Sequence, residues 1–480
     1  MNKLLQNHIA GAWVESAADE SLPLINPSSG DVLGYLPNTE DADVATAIGA
    51  AQSAFEDWRI SVPALRSELL RKTAQLMRGR VDDMAIPISQ ETGKPLAQAR
   101  GEIEGSAKYL EWFAEEARRL NGENIRQRGP DQFALVSYEP IGIVGIFTAW
   151  NFPISLVCRK LGPAIAAGCP VLVRPAVEGS GALRALIECF VEAGAPAGLV
   201  QLLLGDGARI GDVLMKDSRV RKISFTGSVP VGKTLLRASA QTVKRMSMEL
   251  GGHAPFIVFD DVDGARLGAL AAKRKFSNAG QICISPSRFF VHRKIAPAFI
   301  DAFVKTTKSI RLGDPMDPET EMGPLVNRQR LAAIKQLLEQ AEESGTVHCG
   351  GEPLAGREAG NYFSPAVVTD IDDDHVLMRE EIFGPIAPIV TFDDEMDVID
   401  RANDSELGLA GFLFTENLGR AHRVSDKMEC GIVGVNTMTI GMPEAPFGGV
   451  KQSGFGREGS WLGMMDYVQP KLTLIQHEIG

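Results

Sequence analysis

A thiol is the most nucleophilic of the ordinary side chains, and this 480-residue chain has six, at positions 158, 169, 189, 283, 349 and 430. Cys158 and Cys189 stand in apolar runs, where thiols are buried and inert. Cys283 stands in SNAGQICISPSR, a polar, glycine-bearing loop, and is the candidate reactive thiol. Its chemistry needs a base or a positive potential, and donors for the oxyanion that attack on a carbonyl creates. No histidine lies in the loop, so a carboxylate base comes into question. Glu249 in MELGG is the candidate, because an acid in an otherwise apolar, glycine-flanked turn is structurally awkward. On the residues alone, a salt bridge at a domain hinge serves Glu249 as well. The cysteines form no CxxC pair, which argues against a zinc ribbon or a disulfide framework and for a reducing compartment; no metal is expected.

The elements that must position these residues follow from periodicity. Ala45, Ile48, Ala51 and Phe55 form a helical stripe after Asp43, and Gln98 to Leu120 repeats it with Ile103, Leu110 and Phe113. From Ile141 the texture changes to short β-branched runs, IGIVGIFT, PVLVR, LVQLLL and RKISF, separated by helical stretches such as Gly181 to Gly194. That rhythm specifies βαβ units and a parallel sheet. The glycine pair after Glu249 interrupts it, and a second α/β series begins at APFIVF and continues through Phe289 to Val291 and IVGVN. FALVSYEP and the final KLTLIQ lie outside both series and could pair with each other or with another subunit. In open parallel sheets ligands bind beyond the carboxyl ends of the strands, and those ends carry Trp150-Asn151, Arg174, Gly205 and Gly227-Ser228. FTGSVPVG puts Gly227 after a strand and Gly232 inside the next helix, so that free N–H groups could face a pyrophosphate; a tight turn is the alternative.

Composition excludes other classes. A chain of this length forms two or three domains. The net charge of -12 and the absence of a basic run argue against nucleic acid or a membrane surface as partner. MNKLLQNHIAGAWVES has no signal-peptide core and no segment approaches roughly 18 uninterrupted apolar residues, so a cytoplasmic protein is expected.

Six motifs, WNFP (150–153), FTGS (225–228), MELGGHAP (248–255), NAGQIC (278–283), EEIFGP (380–385) and PFGGVKQSGFGRE (446–458), resemble the aldehyde dehydrogenase superfamily in order and over nearly the whole chain. The resemblance implies that Cys283 attacks an aldehyde and that Asn151 and the Cys283 backbone N–H hold the thiohemiacetal oxyanion. It implies that NAD or NADP takes the hydride, and that water deprotonated by Glu249 hydrolyses the thioester. It implies that Glu381 holds the nicotinamide ribose, Phe383 packs beside the ring, and Trp150, Arg174, Ala176, Val177, Gly227, Ser228 and Gly232 serve the adenosine and pyrophosphate side. The family usually has Lys at position 174 and, in members preferring NAD, Glu three residues later. RPAVE has Arg174 and Val177, which favours NADP, while Glu178 keeps NAD open. Ala149 replaces the usual Pro before the Trp.

For substrate, Arg159 and Arg288 resemble arginines that clamp the distal carboxylate in succinate-semialdehyde and 2-oxoglutarate-semialdehyde dehydrogenases; surface or interdomain ion pairs are the alternative. Gly441 replaces a Ser that assists there, and Ser285 replaces a second cysteine, so no disulfide switch beside Cys283 is expected. The expected fold is α/β, with a Rossmann-like parallel-sheet cofactor domain (1–120 and 140–249), an α/β catalytic domain (250–445) and a small β oligomerisation element (121–139 and 460–480) assembling a homodimer or homotetramer. The expected reaction is NAD(P)-dependent oxidation of a carboxylated semialdehyde. Alternatives are a broad-specificity enzyme for non-acidic aldehydes, a CoA-acylating enzyme or thiol hydrolase, which Glu249 and EEIFGP respectively argue against, and a catalytically silent binding protein of the same fold.

Overall fold

Strands covered on both faces read as continuous apolar runs, and Ile143–Phe147 and Ala254–Val258 are buried at every residue. The two belong to different sheets of a computed structural model that describes residues 3–15, 21–126 and 132–476. Residues 1–2, 16–20, 127–131 and 477–480 of the expected domain segments lie outside the described residues.

The first sheet has eight strands, in the order Gly454–Phe455, Arg245–Glu249, Val220–Thr226, Ile143–Phe147, Val171–Arg174, Val200–Leu202, Asn7–Ile9 and Ala12–Val14. Its five central strands are parallel. Helices α1 (Asp41–Trp58), α2 (Pro63–Gly79), α3 (Val81–Thr92) and α4 (Leu96–Glu116) precede the series. The crossovers are α5 (Pro153–Ala167), α6 (Leu183–Glu192), α7 (Gly207–Lys216) and α8 (Val229–Ser239). Alternation sorts the layers. Val144, Ile146, Val171 and Val173 pack with α2 to α6, whereas Ile143, Phe147, Leu172 and Ile223 pack with α1, α7 and α8. The α1 stripe differs from its expected position: Val44, Ala47, Ile48, Ala51, Ala54 and Trp58 are buried, and Ala45 is exposed. Ile48 and Ala51 of the expected stripe are thus kept, Phe55 is half-buried, and Trp58 joins the core with Nε1–H donating to the Ile165 carbonyl at 3.2 Å.

The chain leaves the first sheet at Glu249 and enters the second at Ala254. The second sheet orders Thr346–Cys349, Ala366–Thr369, Ile386–Phe392, Pro286–His292, Ala254–Val258, Ala410–Phe414 and Ile432–Val435. It is covered by α9 (Gly264–Phe276), α10 (Ala296–Ser309) and α11 (Arg328–Ser344) on one face and by helices Glu395–Asn403 and Leu418–Lys427 on the other. Val468–Gln476 pairs antiparallel with Gln132–Pro140 in one unbroken register, and Glu123–Ile125 completes a three-stranded sheet. FALVSYEP and KLTLIQ thus pair with each other.

Candidate active site

The first sheet runs outward from Ile143–Phe147 through Val171–Arg174 to Val200–Leu202, then resumes on the opposite side with Val220–Thr226. The point where the order reverses opens a crevice at the carboxyl strand ends. Trp150 and Asn151 follow one bordering strand, and Gly227 and Ser228 follow the other. Glu249 is the last residue of the next strand, opposite Thr226, and its carbonyl accepts the Gly227 N–H at 3.1 Å.

Cys283 lies on the turn between α9 and the strand Pro286–His292 of the second sheet. After α9, Asn278, Ala279 and Gly280 take φ of 49°, 54° and 71°. Two consecutive non-glycine residues in the left-handed region store strain that the surroundings must hold. Asn278 N–H donates to Gln98 Oε1 at 3.0 Å, and Val326 N–H donates to Gln281 Oε1 at 3.1 Å. A side chain at Gly280 would put its Cβ 2.3 Å from the Gly384 carbonyl, so only glycine lets the turn pass under the EEIFGP loop.

Two cavities meet at Cys283. One, of about 410 Å³, is lined by Trp150, Asn151, Gly227, Ser228, Glu249, Glu381 and Phe383 together with Cys283. The other, of about 360 Å³, reaches Cys283 past Phe152, Ser155, Arg159, Arg274, Gly441 and Phe447. The three candidate catalytic residues and five of the nine candidate cofactor residues are therefore in one crevice. Four candidates are not on its wall. Arg174 ends its strand with Nη2 donating to the Gly205 carbonyl at 3.0 Å, Ala176 is half-buried nearby, Val177 packs on the core of the first domain, and Gly232 lets Leu250 approach to 2.7 Å from where a Cβ would be.

Arg159 lies in the second cavity, stacked between Tyr109 and Phe447 at 4.7 and 4.6 Å, with Nη1 3.9 Å from Glu458. Arg288 does not. It sits on the strand Pro286–His292 and its guanidinium donates to the carbonyls of His253, Arg401 and Ala402 at 3.0, 3.3 and 2.7 Å. The expectation that Arg288 clamps substrate is corrected: side chains of this buried strand point into the second domain's packing, and three carbonyls occupy the guanidinium.

Burial pushes the Cys283 thiol up to about 12, helped by the charges of Glu249, Glu381 and Glu458 and opposed by Arg159. Burial likewise holds the Glu249 carboxyl well above its ordinary range; Glu458 adds to this, and Lys160, Arg159 and Arg457 pull it down. Lys160 Nζ donates to Glu458 Oε1, so the nearest acid is itself partly neutralised. Glu381 is pushed up to about 7, by burial against the Gly252 N–H and Arg330.

The aldehyde dehydrogenase family model matches residues 13–473. The chain belongs to the aldehyde dehydrogenase family. A succinate semialdehyde dehydrogenase of Acinetobacter baylyi is 42% identical over 469 residues, 97% of this chain and 96% of that protein. A succinate-semialdehyde dehydrogenase (NADP+) of Escherichia coli is 40% identical over 470 residues, covering 97% of each. The crystal structure of succinate-semialdehyde dehydrogenase from Burkholderia pseudomallei superposes with a TM-score of 0.95 at 39% identity, covering 98% of each chain.

The dehydrogenase is NAD(P)-dependent, and its crevice fits a dinucleotide. Thr226 Oγ1, Glu249 Oε2 and Arg330 Nε are buried along it without hydrogen-bond partners, and Arg174 Nε is another such orphan beside it. Trp150 and Phe383 meet edge to face at 5.5 Å on the crevice wall, with Phe383 held at φ 43°. Orphaned polar atoms beside an aromatic wall are the mark of a site completed by a polar, planar ligand. Among the described residues no group of His, Cys, Asp or Glu is placed to hold a metal.

Asn151 in the dehydrogenase is set by residues that sequence reasoning left out. Lys94 Nζ donates to the Asn151 carbonyl at 2.8 Å and to Glu102. The other Glu102 oxygen accepts the Ile154 and Ser155 N–H groups at 3.0 and 3.1 Å, capping α5. Asn151 Nδ2 donates to the Gln281 carbonyl at 3.1 Å, which leaves its second N–H for a ligand. Lys94 and Glu102 side chains are 1% and 0% exposed. Glu102→Gln is expected to lower stability by about 3–5 kcal/mol by leaving Lys94 buried and unpaired. The denaturant midpoint of the variant reads this, and a midpoint equal to wild type would contradict it. Lys160, Glu458 and Arg274 were also missed. Glu458 closes a quoted motif, which was the one available signal; Lys160 and Arg274 gave none.

Proposed function

We propose that this dehydrogenase oxidises a semialdehyde carrying a distal carboxylate to the dicarboxylate, in the cytoplasm, with NADP preferred. The observation that carries the reading is the meeting of two cavities at Cys283, one fitted to a dinucleotide and the other walled by Arg159. Cys283 gives up its thiol proton to solvent water and attacks the aldehyde carbon as the thiolate, and the thiohemiacetal oxyanion takes the free Asn151 N–H and the Cys283 backbone N–H. The dinucleotide, when bound, supplies the hydride acceptor that turns this adduct into a thioester. Glu249 then deprotonates the water that hydrolyses it, and product leaves through the Arg159 cavity. A carboxylate suits that cavity, because a guanidinium pairs with it in bidentate fashion.

NADP is favoured because Val177 packs on the core instead of presenting an acid, and Glu178 is engaged by Asn327 Nδ2 at 2.8 Å. Arg174, held at Nη2 by the Gly205 carbonyl and with Nε unpartnered, is then the cation nearest to hand for a 2′-phosphate. The two relatives described above act on succinate semialdehyde by name, and one of the two is named for NADP+, which supports both halves. Assembly as a homodimer or homotetramer through the three-stranded sheet is part of the proposal, supported by Leu472 and Leu474, which are 57% and 68% exposed on its outer strand.

The test is kcat/KM for succinate, 2-oxoglutarate and glutarate semialdehydes and for hexanal, each with NADP and NAD. A carboxylated aldehyde is expected to lead hexanal by at least about tenfold, roughly 1.4 kcal/mol of transition-state binding, and Val177→Glu is expected to move the preference toward NAD. Equal rates on hexanal would make the enzyme a broad-specificity aldehyde dehydrogenase.

A further inference from the structure

The substrate-side cavity holds a second cation that the mechanism does not use. Arg274 lies in the last turn of α9 and lines the cavity that ends at Cys283. Its Nε is shut off from solvent without a hydrogen-bond partner, and among the described residues its guanidinium has no ion pair or hydrogen bond. The other interior arginines each have a partner: Arg66 donates to five backbone carbonyls and a serine hydroxyl, Arg288 donates to three carbonyls, Arg174 and Arg330 donate to the carbonyls of Gly205 and Ile382, and Arg159, whose Nε is likewise without a hydrogen bond, lies 3.9 Å from Glu458 between two aromatic rings. Glu102, the acid on the same cavity wall, is taken up by Lys94 and the start of α5. A half-buried guanidinium without a counter-charge is unfavourable, and an anion entering the cavity relieves it.

We propose that Arg274 is the residue that binds the far-end carboxylate of the substrate, with Arg159 as the stacked wall that orients it. The inference rests on the carboxylated-semialdehyde reading and names the residue that makes the discrimination. Gly441 fits this division: a Cβ there would lie 3.6 Å from Arg159 Nη2, so glycine leaves that side of the cavity open. The carboxylate brings the negative charge that Arg274 lacks, and a neutral aldehyde of equal length brings none.

The experiment compares wild type, Arg274→Gln and Arg274→Lys on succinate semialdehyde and on butanal, which matches its length without the acid. In Arg274→Gln, kcat/KM for succinate semialdehyde is expected to fall at least about 30-fold, mainly through KM, and for butanal by less than about threefold. Arg274→Lys restores part of the loss, because the charge remains while the fork is gone. Thermal melting with and without succinate separates binding from folding: Arg274→Gln is expected to melt near wild type but to lose the upward shift that succinate gives. Equal losses on both aldehydes, or an unaltered preference for the acid, would overturn the Arg274 assignment alone. A wild type that does not prefer succinate semialdehyde over butanal would overturn the substrate class as well.

Discussion

Replacing Cys283 with alanine is expected to lower kcat by at least about 10⁴-fold while dinucleotide binding survives. The size follows from the site: the thiol is the sole side chain shared by both cavities that can form the covalent adduct, and Asn151 and Glu249 have nothing to stabilise or hydrolyse without it. Binding survives because the dinucleotide crevice is built chiefly from strand ends of the first sheet and the EEIFGP loop. Fluorescence titration with NADPH and steady-state turnover read the two parts separately. Retained turnover in Cys283→Ala would remove the assigned nucleophile. The free enzyme carries a second signature. With its thiol pushed up to about 12, Cys283 is protonated at neutral pH, so its alkylation by iodoacetamide is expected to be slow at pH 7 and to rise about tenfold per pH unit through pH 9. Fast, pH-independent labelling would show a thiolate already formed.

Much of this site was legible because its residues stand at places that periodicity marks. Asn151 and Gly227 follow recognisable strands and Cys283 is the cysteine in a polar loop, whereas Glu249 reads as an acid in a glycine-flanked turn and in fact ends the strand Arg245–Glu249. What failed was the inference from nearness in sequence to nearness in space. Arg288 is five residues from Cys283, yet the intervening turn leads into a buried strand whose side chains alternate between two packed layers. Arg274 is nine residues away on the other side, and the left-handed turn at Asn278 and Ala279 carries the chain back so that both reach one cavity. Asn278 is of a type that tolerates positive φ, but Ala279 is not, and its conformation leaves no mark in sequence. The Lys94–Glu102 pair was hidden for a related reason: it has meaning only once α4 is laid against the start of α5. The strands Ala366–Thr369, Ile386–Phe392 and Ala410–Phe414 went unassigned, since short apolar runs resemble buried helix segments.

Glu249→Gln is expected to separate the two halves of the reaction. The variant keeps the shape of the crevice and loses the base, so steady-state turnover falls by at least about 10²-fold. Rapid mixing then shows a burst of reduced cofactor approaching one per site, because acylation of Cys283 outruns hydrolysis of the thioester. The pH profile makes the same point with a fixed sign. The base must be ionised, and burial together with Glu458 holds the Glu249 carboxyl well above its ordinary range. Wild-type kcat therefore climbs as pH rises through that elevated value, and the climb disappears in Glu249→Gln. Glu458→Gln removes a like charge and frees Lys160, whose cation draws the Glu249 value down. Both changes favour the carboxylate, so the acid limb moves to lower pH. A limb that moved upward in Glu458→Gln, or one that persisted in Glu249→Gln, would assign the base to another group.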